Sequence, residues 1–129
     1  MNLNSVYNTA MEKAMSALWE RQQTISHNIA NEDTPGYKAK RIEFESMLKT
    51  EMDSILRNSV PKRESISRLR NTTTREYELG GLAGRVDGNS VDLDSEYIEM
   101  ARTRYQYYAL EQKVAGHYTN LKYVINGGR

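Results

Sequence analysis

The ten residues from Asn28 to Tyr37 constrain this chain more than any other segment, because they specify both the end of a helix and the turn after it. They read Asn-Ile-Ala-Asn-Glu-Asp-Thr-Pro-Gly-Tyr. Proline fixes φ near the value required at the second position of a turn, and glycine supplies the positive φ of the third position of a type II turn. Asparagine amides hydrogen-bond nearby backbone and favour a helix exit. We therefore predict that a helix ends before Pro35, and that the segment positions the chain and does not catalyse.

The residues before this turn have the spacing of an amphipathic helix. Apolar side chains recur at alternating steps of four and three residues, which is the spacing of helices that pair in a coiled coil. The stripe consists of Met11, Met15, Leu18, Gln22, Ile25 and Ile29. A neighbouring stripe of mostly small residues would let a second helix approach closely: Tyr7, Ala10, Ala14 and Ala17. The helix is therefore apolar on more than one side.

The C-terminal segment repeats this pattern. A row with a spacing of seven is flanked by apolar residues three or four positions away. The row is Met100, Tyr107, Val114 and Leu121, and its flanking residues are Tyr97, Tyr118 and Ile125. Asp92 or Asp94 can cap the start of this helix, and Gly127 and Gly128 mark its end. A further edge predicts contact with more than one partner: Ile98, Ala101, Tyr105, Tyr108 and Ala115.

The middle of the chain is less regular. A helical period predicts a short helix from about residue 43 to 57. Residues 57 to 75 hold six basic side chains and one acidic one, Glu64, and we expect a mobile or extended loop there. Turn signals near Asp87-Gly88-Asn89 predict a short hairpin around Leu79 to Val91.

Several classes of function have no support in the residues. The chain has no cysteine, which excludes disulfides and thiolate metal sites. His27 and His117 are not spaced to hold zinc on one helix face, and no phosphate-binding loop or nucleophile elbow occurs. We expect no catalytic residue, cofactor, metal or small-molecule substrate. The net charge of +1 favours no particular partner.

Two targeting features are also missing from the sequence. No run of about 18 apolar residues could form a transmembrane helix, and residues 1–5 lack both the basic and the apolar region of a secretory signal. We expect no cleaved signal peptide. The basic stretch from Arg57 to Arg75 could contact nucleic-acid phosphates, but no aromatic side chain within it could stack on bases. A solvated loop is the more common meaning of such a stretch, and we expect no nucleic acid.

The turn segment resembles the Asn-Ile-Ala-Asn-x-x-Thr-Pro-Gly-Tyr element of the axial proteins of the bacterial flagellum, with every fixed position present. A second block, from Gly88 to Asp94, resembles the family's lead into its C-terminal helix. The similarity covers residues 17 to 45 and 87 to 129, and includes Ala17, Leu18, Arg21, Gln22, Ile25, Lys38, Ala39 and Phe44. The short chain and the Asp-Thr-Pro-Gly-Tyr form are most similar to the B-type proximal rod proteins of the basal body.

The resemblance implies a structural subunit of the proximal rod, a tubular shaft with an axial channel. It implies a place outside the cytoplasmic membrane, in the periplasm, reached without signal cleavage through the flagellar type III export apparatus. The implied partners are other rod proteins, the rod-to-ring adaptor and the membrane-ring protein. An alternative, from another class of protein function, is a soluble helical adaptor or regulator that binds partner helices or nucleic acid.

Together these observations predict a mainly α fold. The long N- and C-terminal helices pair as a coiled coil, with a short third helix and an irregular or small β-hairpin middle region. One structural unit would divide into an assembly helix (1–34), a middle region (35–90) and a second assembly helix (91–129). The predicted motif turn is Asn28, Ile29, Ala30, Asn31, Thr34, Pro35, Gly36 and Tyr37. The predicted assembly interface is Met11, Met15, Leu18, Ile25, Ile29, Tyr97, Met100, Tyr107, Val114, Tyr118, Leu121 and Ile125.

Overall fold

The protein is described by a computed structural model over residues 3–80 and 86–125, and within these ranges it contains four helices and one two-stranded sheet. The elements in chain order are α1 (Leu3–Ala30), β1 (Lys40–Glu43), α2 (Glu45–Arg57), α3 (Lys62–Asn71), β2 (Arg75–Glu78) and α4 (Leu93–Ile125). The prediction of a mainly α fold with two long terminal helices is confirmed.

The two long helices, α1 and α4, pack along one another in antiparallel directions. Near the end of α1, Asn28 contacts Glu96 at the start of α4. Near its beginning, the ring of Tyr7 lies 6.2 Å from that of His117, measured between centroids. The four-and-three spacing keeps one apolar stripe of each helix facing the other over this length. The pair forms the long axis of the molecule.

A lobe made of α2 and α3 packs against the first half of α1. Its core combines Val6 and Ala10 from α1 with Ile55 from α2 and Leu69 from α3, and Val60 fills the space beside them. All of these side chains are buried. This cluster gives the chain a hydrophobic core of its own at one end of the long helix pair.

Helix α3 corrects the expectation of a mobile or extended loop between residues 57 and 75. Only a narrow face of this helix is buried, formed by Ser65 and Leu69 with Ile66 partly covered. Its many Arg and Lys residues have good helix propensity, and their charged groups remain in solvent. Arg68 pairs with Glu51 of α2 at 2.5 Å. The high charge of the segment gave no indication that Leu69 and Ile66 would form an apolar face sufficient to dock the helix.

The small sheet lies upstream of the region where the turn signals had placed a hairpin. Strands β1 and β2 are antiparallel, with Ile42 opposite Glu76. The side chain of Ile42 is buried, whereas all four residues of β2 are exposed. Residues 79–80 and 86–91 form no strand, and the rest of the expected hairpin, residues 81–85, lies outside the described residues. The strands therefore enclose the α2–α3 lobe and do not form a tight hairpin.

Helix α4 is covered on one side only. Beside a second cluster formed by Ala17, Leu18 and Phe44, its residues Tyr107 and Leu110 are only partly buried. Among its described side chains, the two that are fully buried are polar, Glu96 and Thr103. The expected cap is present, because the carboxylate of Asp92 accepts a hydrogen bond from the Asp94 N–H at 3.2 Å. The glycines expected to end the helix, Gly127 and Gly128, lie outside the described residues.

Candidate functional site

The turn after α1 has the geometry that its proline and glycine predict. Helix α1 ends at Ala30. The N–H of Tyr37 donates to the carbonyl oxygen of Thr34 at 3.2 Å, which closes a four-residue turn around Pro35 and Gly36. Gly36 has φ +71°, as the third position of a type II turn requires. No atom lies within 4 Å of the place where a side chain at Gly36 would begin, so backbone conformation alone selects glycine.

A distant asparagine completes the end of α1. The amide of Asn89 is fully buried and donates to the carbonyl oxygens of Asn31, Glu32 and Thr34 at 3.1, 2.8 and 2.7 Å. Its own oxygen accepts from the Val91 N–H at 2.7 Å. These three carbonyls belong to the turn that follows α1, where backbone groups must find partners outside regular secondary structure. Here the segment before α4 supplies a donor to all three.

The same two segments are joined through their backbones. The Gly36 N–H donates to the Asp87 carbonyl at 2.9 Å, and the Ser90 N–H donates to the Tyr37 carbonyl at 3.0 Å. The Ala39 N–H donates to the Ser90 hydroxyl at 2.7 Å. Both blocks that carried the family resemblance therefore form one structure, which we call the motif junction (residues 28–41 with 87–96).

Asn28 is the polar centre of the motif junction. Its side chain is completely buried and links three elements. The amide nitrogen donates to the Lys40 carbonyl at 2.9 Å and to the Glu96 carboxylate at 3.1 Å. The amide oxygen accepts from the Lys40 N–H at 3.0 Å and from the Tyr37 hydroxyl at 3.3 Å. This one side chain fixes the end of α1 to β1 and to α4.

A buried ion pair lies beside Asn28. Glu96 is 1% exposed, and one of its oxygens accepts from the Arg41 guanidinium at 2.6 Å. A carboxylate this deeply buried is tolerated only when it is paired and hydrogen-bonded. Arg41 and Asn28 provide those contacts from two different elements. An acidic residue in the first turn of a helix is favoured by the helix dipole, but that preference did not identify the partners of Glu96.

Arg21 joins α1 to β1 and to the start of α2. Its guanidinium donates two hydrogen bonds to the Glu45 carboxylate, both at 2.7 Å, and two to the Ile42 carbonyl. It also lies over the Phe44 ring, 4.8 Å from the centroid. Partial burial of Glu45 raises the pKa of its carboxyl, but the hydrogen bonds from Arg21 and from nearby backbone outweigh burial and leave that pKa below its usual value.

The predicted assembly interface divides into three groups. Met11, Leu18 and Ile25 are buried within the chain itself, at 5%, 4% and 1% exposure. Residues that are partly covered form the second group: Met15, Ile29, Met100, Tyr107, Val114 and Leu121. Only Tyr97, Tyr118 and Ile125 are largely exposed, at 55%, 52% and 78%. Nine of the twelve predicted residues are thus at least partly covered within the chain itself.

Other large apolar side chains are left in solvent. Ile98, Tyr105 and Tyr123 are 61%, 77% and 61% exposed. Their spacings of 7 and 18 residues are close to whole numbers of helical turns, so the three side chains lie on one face of α4, opposite α1. Trp19 of α1 is also 61% exposed. Trp19 was not identified from the sequence as a surface residue. Its position beside Glu20, on the polar face of the helix, could have indicated an exposed aromatic side chain.

The described residues include neither a metal-binding group of side chains nor a helix that could span a membrane. In the ranges 3–80 and 86–125 no group of three or more His, Asp or Glu residues could hold a metal ion. None of the helices in those ranges is sufficiently long and apolar to cross a membrane.

The chain is similar in sequence to known proteins. The family model described as flagella basal body rod protein matches residues 8–38. The chain is 33% identical over 122 residues to the flagellar basal body rod protein FlgB of Bacillus subtilis (strain 168), and the match covers 92% of each chain. It is 29% identical over 126 residues, 91% of each chain, to the protein of the same name from Escherichia coli (strain K12). A relative from Buchnera aphidicola subsp. Acyrthosiphon pisum (strain APS), also named FlgB, is 27% identical over 130 residues, or 97% of each chain. With this identity maintained over nearly the whole length, the chain belongs to the family of flagellar basal body rod proteins, in the group of the FlgB proteins.

Proposed function

We propose that the chain joins its neighbours in the rod through the face of α4 that points away from α1. As a member of its family, the chain is a structural subunit of the flagellar basal body rod, and the alternative of a soluble adaptor or regulator is not favoured. The observation that carries the proposal is the exposed row Ile98, Tyr105 and Tyr123. These side chains have no partner helix within the described residues.

The arrangement of buried and exposed side chains supports an incomplete core. Large apolar residues scattered singly on a surface need no explanation, but many such residues exposed along one helix mark an interaction surface. Tyrosine suits such a surface, because its ring contributes apolar area and its hydroxyl can remain hydrated. Seven of the large exposed apolar residues lie on α4: Tyr97, Ile98, Tyr105, Tyr108, Tyr118, Tyr123 and Ile125.

The predicted assembly residues take two roles in this proposal. The buried ones, such as Leu18 and Ile25, hold α1 against α4 and give the outward face its shape. The exposed ones, Tyr97, Tyr118 and Ile125, contact neighbouring subunits directly. The motif turn fixes the direction in which the chain leaves α1. In this division residues 1–34 and 91–129 form the assembly helices, and residues 35–90 form the middle region.

The family and the chemistry of the site support proposals for the location of the subunit, its neighbours and its export route. We propose the proximal rod as the location, with other rod proteins, the rod-to-ring adaptor and the membrane-ring protein as neighbours. Delivery would be through the type III export apparatus, into the periplasm and without cleavage of a signal. The role is mechanical and involves no reaction, because the polar side chains gathered at the motif junction are used in hydrogen bonds and ion pairs.

Replacing Tyr105 by glutamate tests the proposal. Because Tyr105 is 77% exposed, the substitution should leave the melting temperature and the circular dichroism of the purified chain nearly unchanged. In a neighbour's apolar contact the new carboxylate would lose hydration without a cation opposite it. We expect basal bodies isolated from cells with this variant to lack the subunit.

Gln23→Glu is the matched control. Gln23 is exposed on α1, so the variant carries the same new charge on another helix, away from the row. It should be incorporated normally. Normal rods and motility with Tyr105→Glu, at normal protein levels, would refute the assignment of this face.

A further inference from the structure

The exposed face of α3 carries a shallow groove of about 280 Å³, lined by Arg63, Ile66, Ser67, Arg70 and Asn71. Arg63 and Arg70 are seven residues apart, which is close to two helical turns, so the two side chains lie on the same face of the helix. Both are exposed, and neither has an ion-pair partner among the described residues. Because none of the lining residues is acidic, the two guanidinium charges are not cancelled within the groove. We call it the α3 groove.

The two arginines of the α3 groove belong to a larger basic surface. Residues 57 to 75 hold six basic side chains against one acidic side chain, Glu64. Arg57 and Lys62 are also exposed. Of the six cations, Arg68 alone forms an ion pair with a described residue, Glu51 of α2. A surface of this charge attracts carboxylates and other anions over roughly a Debye length, about 10 Å at 0.1 M salt.

The motif junction carries the opposite charge. It contains six acidic and three basic residues. Its exposed carboxylates include Asp33, in the turn after α1, and Asp94, in the first turn of α4. Its three cations already have partners, because Lys38 donates to a backbone carbonyl and Lys40 and Arg41 each pair with a glutamate. The exposed carboxylates therefore leave this end of the molecule acidic.

The basic and acidic surfaces lie at opposite ends of the long helix pair. The Lys13 ammonium donates to the Arg70 carbonyl at 3.0 Å, which places the α3 groove beside the first half of α1. Asp33 follows the end of that helix at Ala30. At a rise of 1.5 Å per residue, Lys13 and Ala30 are about 25 Å apart. The two surfaces are too far apart to meet within one subunit, and the small net charge of the chain hides their separation.

We propose that the α3 groove of one subunit binds the motif-junction end of a second copy of this chain. The two arginines of the groove pair with Asp33 and Asp94 of that copy. A planar guanidinium group matches a carboxylate through two parallel hydrogen bonds. Because the two surfaces differ, the contact is heterologous and repeats from copy to copy. It does not use the outward face of α4, and so adds a second contact to the one in the proposed function.

Other anionic partners fit the α3 groove less well. Proteins that bind single-stranded nucleic acid stack its bases on aromatic side chains, and residues 57–75 contain none. Binding to an anionic membrane combines cations with apolar side chains that enter the lipid, and the one apolar residue of the groove, Ile66, is partly buried. Carboxylates held in place by the folded motif junction lose little conformational freedom on binding. Charge complementarity therefore selects a copy of this chain.

Charge reversal at either surface tests the proposal. Arg63→Glu/Arg70→Glu alters the groove, and Asp33→Lys/Asp94→Lys alters the opposite end. All four residues are exposed, so both variants should melt near the temperature of the unaltered chain. Self-association of the purified protein is measured by sedimentation equilibrium at about 20 mM and about 500 mM salt. We expect the unaltered chain to associate at low salt only, and each variant to associate about tenfold more weakly there.

Lys49→Glu/Lys122→Glu is the matched control. It reverses two exposed cations on α2 and α4 and changes the net charge by the same amount as the groove variant. It should associate as the unaltered chain does. Equal weakening by the control and the groove variant would mean that net charge governs association, and no salt-sensitive association of the unaltered chain at about millimolar concentration would equally overturn the proposal. Contact through the apolar face of α4 should change little with salt, so the two contacts are distinguishable.

Single cysteines show which ends of the subunit meet, because the chain has no cysteine of its own. Ser67→Cys places a thiol in the α3 groove, and Thr34→Cys places one beside Asp33. Under mild oxidation at low salt, these two variants should form a mixed disulfide dimer several-fold faster than Ser67→Cys forms one with Ser16→Cys. Ser16 is exposed in the middle of α1 and serves as the control position. High salt should remove the difference.

Equal rates for the two mixtures would show that the groove does not meet the motif junction, and the proposal would be wrong. Binding to nucleic acid and to lipid is measured with a single-stranded DNA oligonucleotide and with vesicles that contain phosphatidylglycerol. If either bound the unaltered chain but not Arg63→Glu/Arg70→Glu, and disulfide formation showed no preference, the groove would belong to that partner and the proposal would fail.

Discussion

Asn28→Asp is the sharpest test of the motif junction, because it changes the chemistry of one buried side chain without changing its shape. The amide nitrogen of Asn28 donates to the Lys40 carbonyl and to the Glu96 carboxylate, at 2.9 and 3.1 Å. An aspartate places an oxygen at that position. Two attractive contacts then become two contacts between acceptors, and one of these lies between carboxylates.

The magnitude follows from what the new carboxyl can do. Two negative charges about 3 Å apart repel by roughly 5 kcal/mol at an effective dielectric constant of about 20. The new carboxyl can avoid this repulsion by keeping its proton, which at pH 7 costs about 4 kcal/mol for a group with an ordinary pKa near 3.9. Protonation restores one of the two donors. We therefore expect a loss of about 4 kcal/mol of stability at pH 7, a large part of the total for a small domain.

The dependence on pH identifies the cause. Because the pKa of the new carboxyl is raised in the folded state, the variant recovers stability relative to the unaltered chain as pH falls, by about 1.4 kcal/mol per unit. The assay is urea unfolding at pH 7 and at pH 5, followed by circular dichroism. Asn31→Asp is the control: its amide nitrogen donates only to the His27 carbonyl, and the oxygen that accepts from the Thr34 hydroxyl is retained, so it should cost about 1 kcal/mol at both values. A loss for Asn28→Asp that was small, or the same at both pH values, would refute the account of Asn28 as the polar centre.

Three further predictions concern the turn and the Arg21 contacts. Gly36→Val should cost about 1 to 3 kcal/mol by thermal unfolding, because φ is +71° there, whereas Gly80→Val, which also meets open space, should cost much less. Arg21→Lys should cost about 1 to 2 kcal/mol in urea unfolding, since lysine cannot make the paired hydrogen bonds to Glu45; equal stability would contradict this role. The lowered pKa of Glu45 means that its contribution is complete above its ordinary pKa of 4.5 and is lost as pH falls below that value. Because Glu45 is half exposed, the difference in urea unfolding between the unaltered chain and Glu45→Gln should be below about 1 kcal/mol at pH 6 and should shrink steadily as the pH is lowered below 4.5.

The sequence was most informative where the chemistry is local. Pro35 and Gly36 determined the turn, because their φ angles are set by their own covalent structure. The stripes of α1 and α4 predicted both helices, since a helical period depends only on spacing along the chain. Asp92 was one of two residues predicted as the cap of α4, with Asp94, for the same reason. The resemblance carried by residues 28–37 and 88–94 placed the chain in its family before any contact was known.

Helix α3 shows where local signals were insufficient. Its composition is that of a solvated segment, and Leu69 is buried only because α1 and α2 meet at that place. Burial of a few side chains depends on neighbours that are distant along the chain, and composition cannot supply them. The pairing of β1 with β2 across the α2–α3 lobe has the same origin, because strand register depends on what the intervening lobe brings together.

The sequence by itself determined the two long helices, the turn conformation and the family, because these depend on backbone preferences and on the spacing of neighbouring residues. Only the tertiary structure decided which apolar residues remain for other subunits. Leu18 and Tyr105 look alike as members of helical stripes, but Leu18 faces α4 and Tyr105 faces away from α1. Likewise Asn28, Arg41 and Glu96 are polar residues without a shared motif, and they act together because the antiparallel packing of α1 and α4 brings the end of one helix to the start of the other.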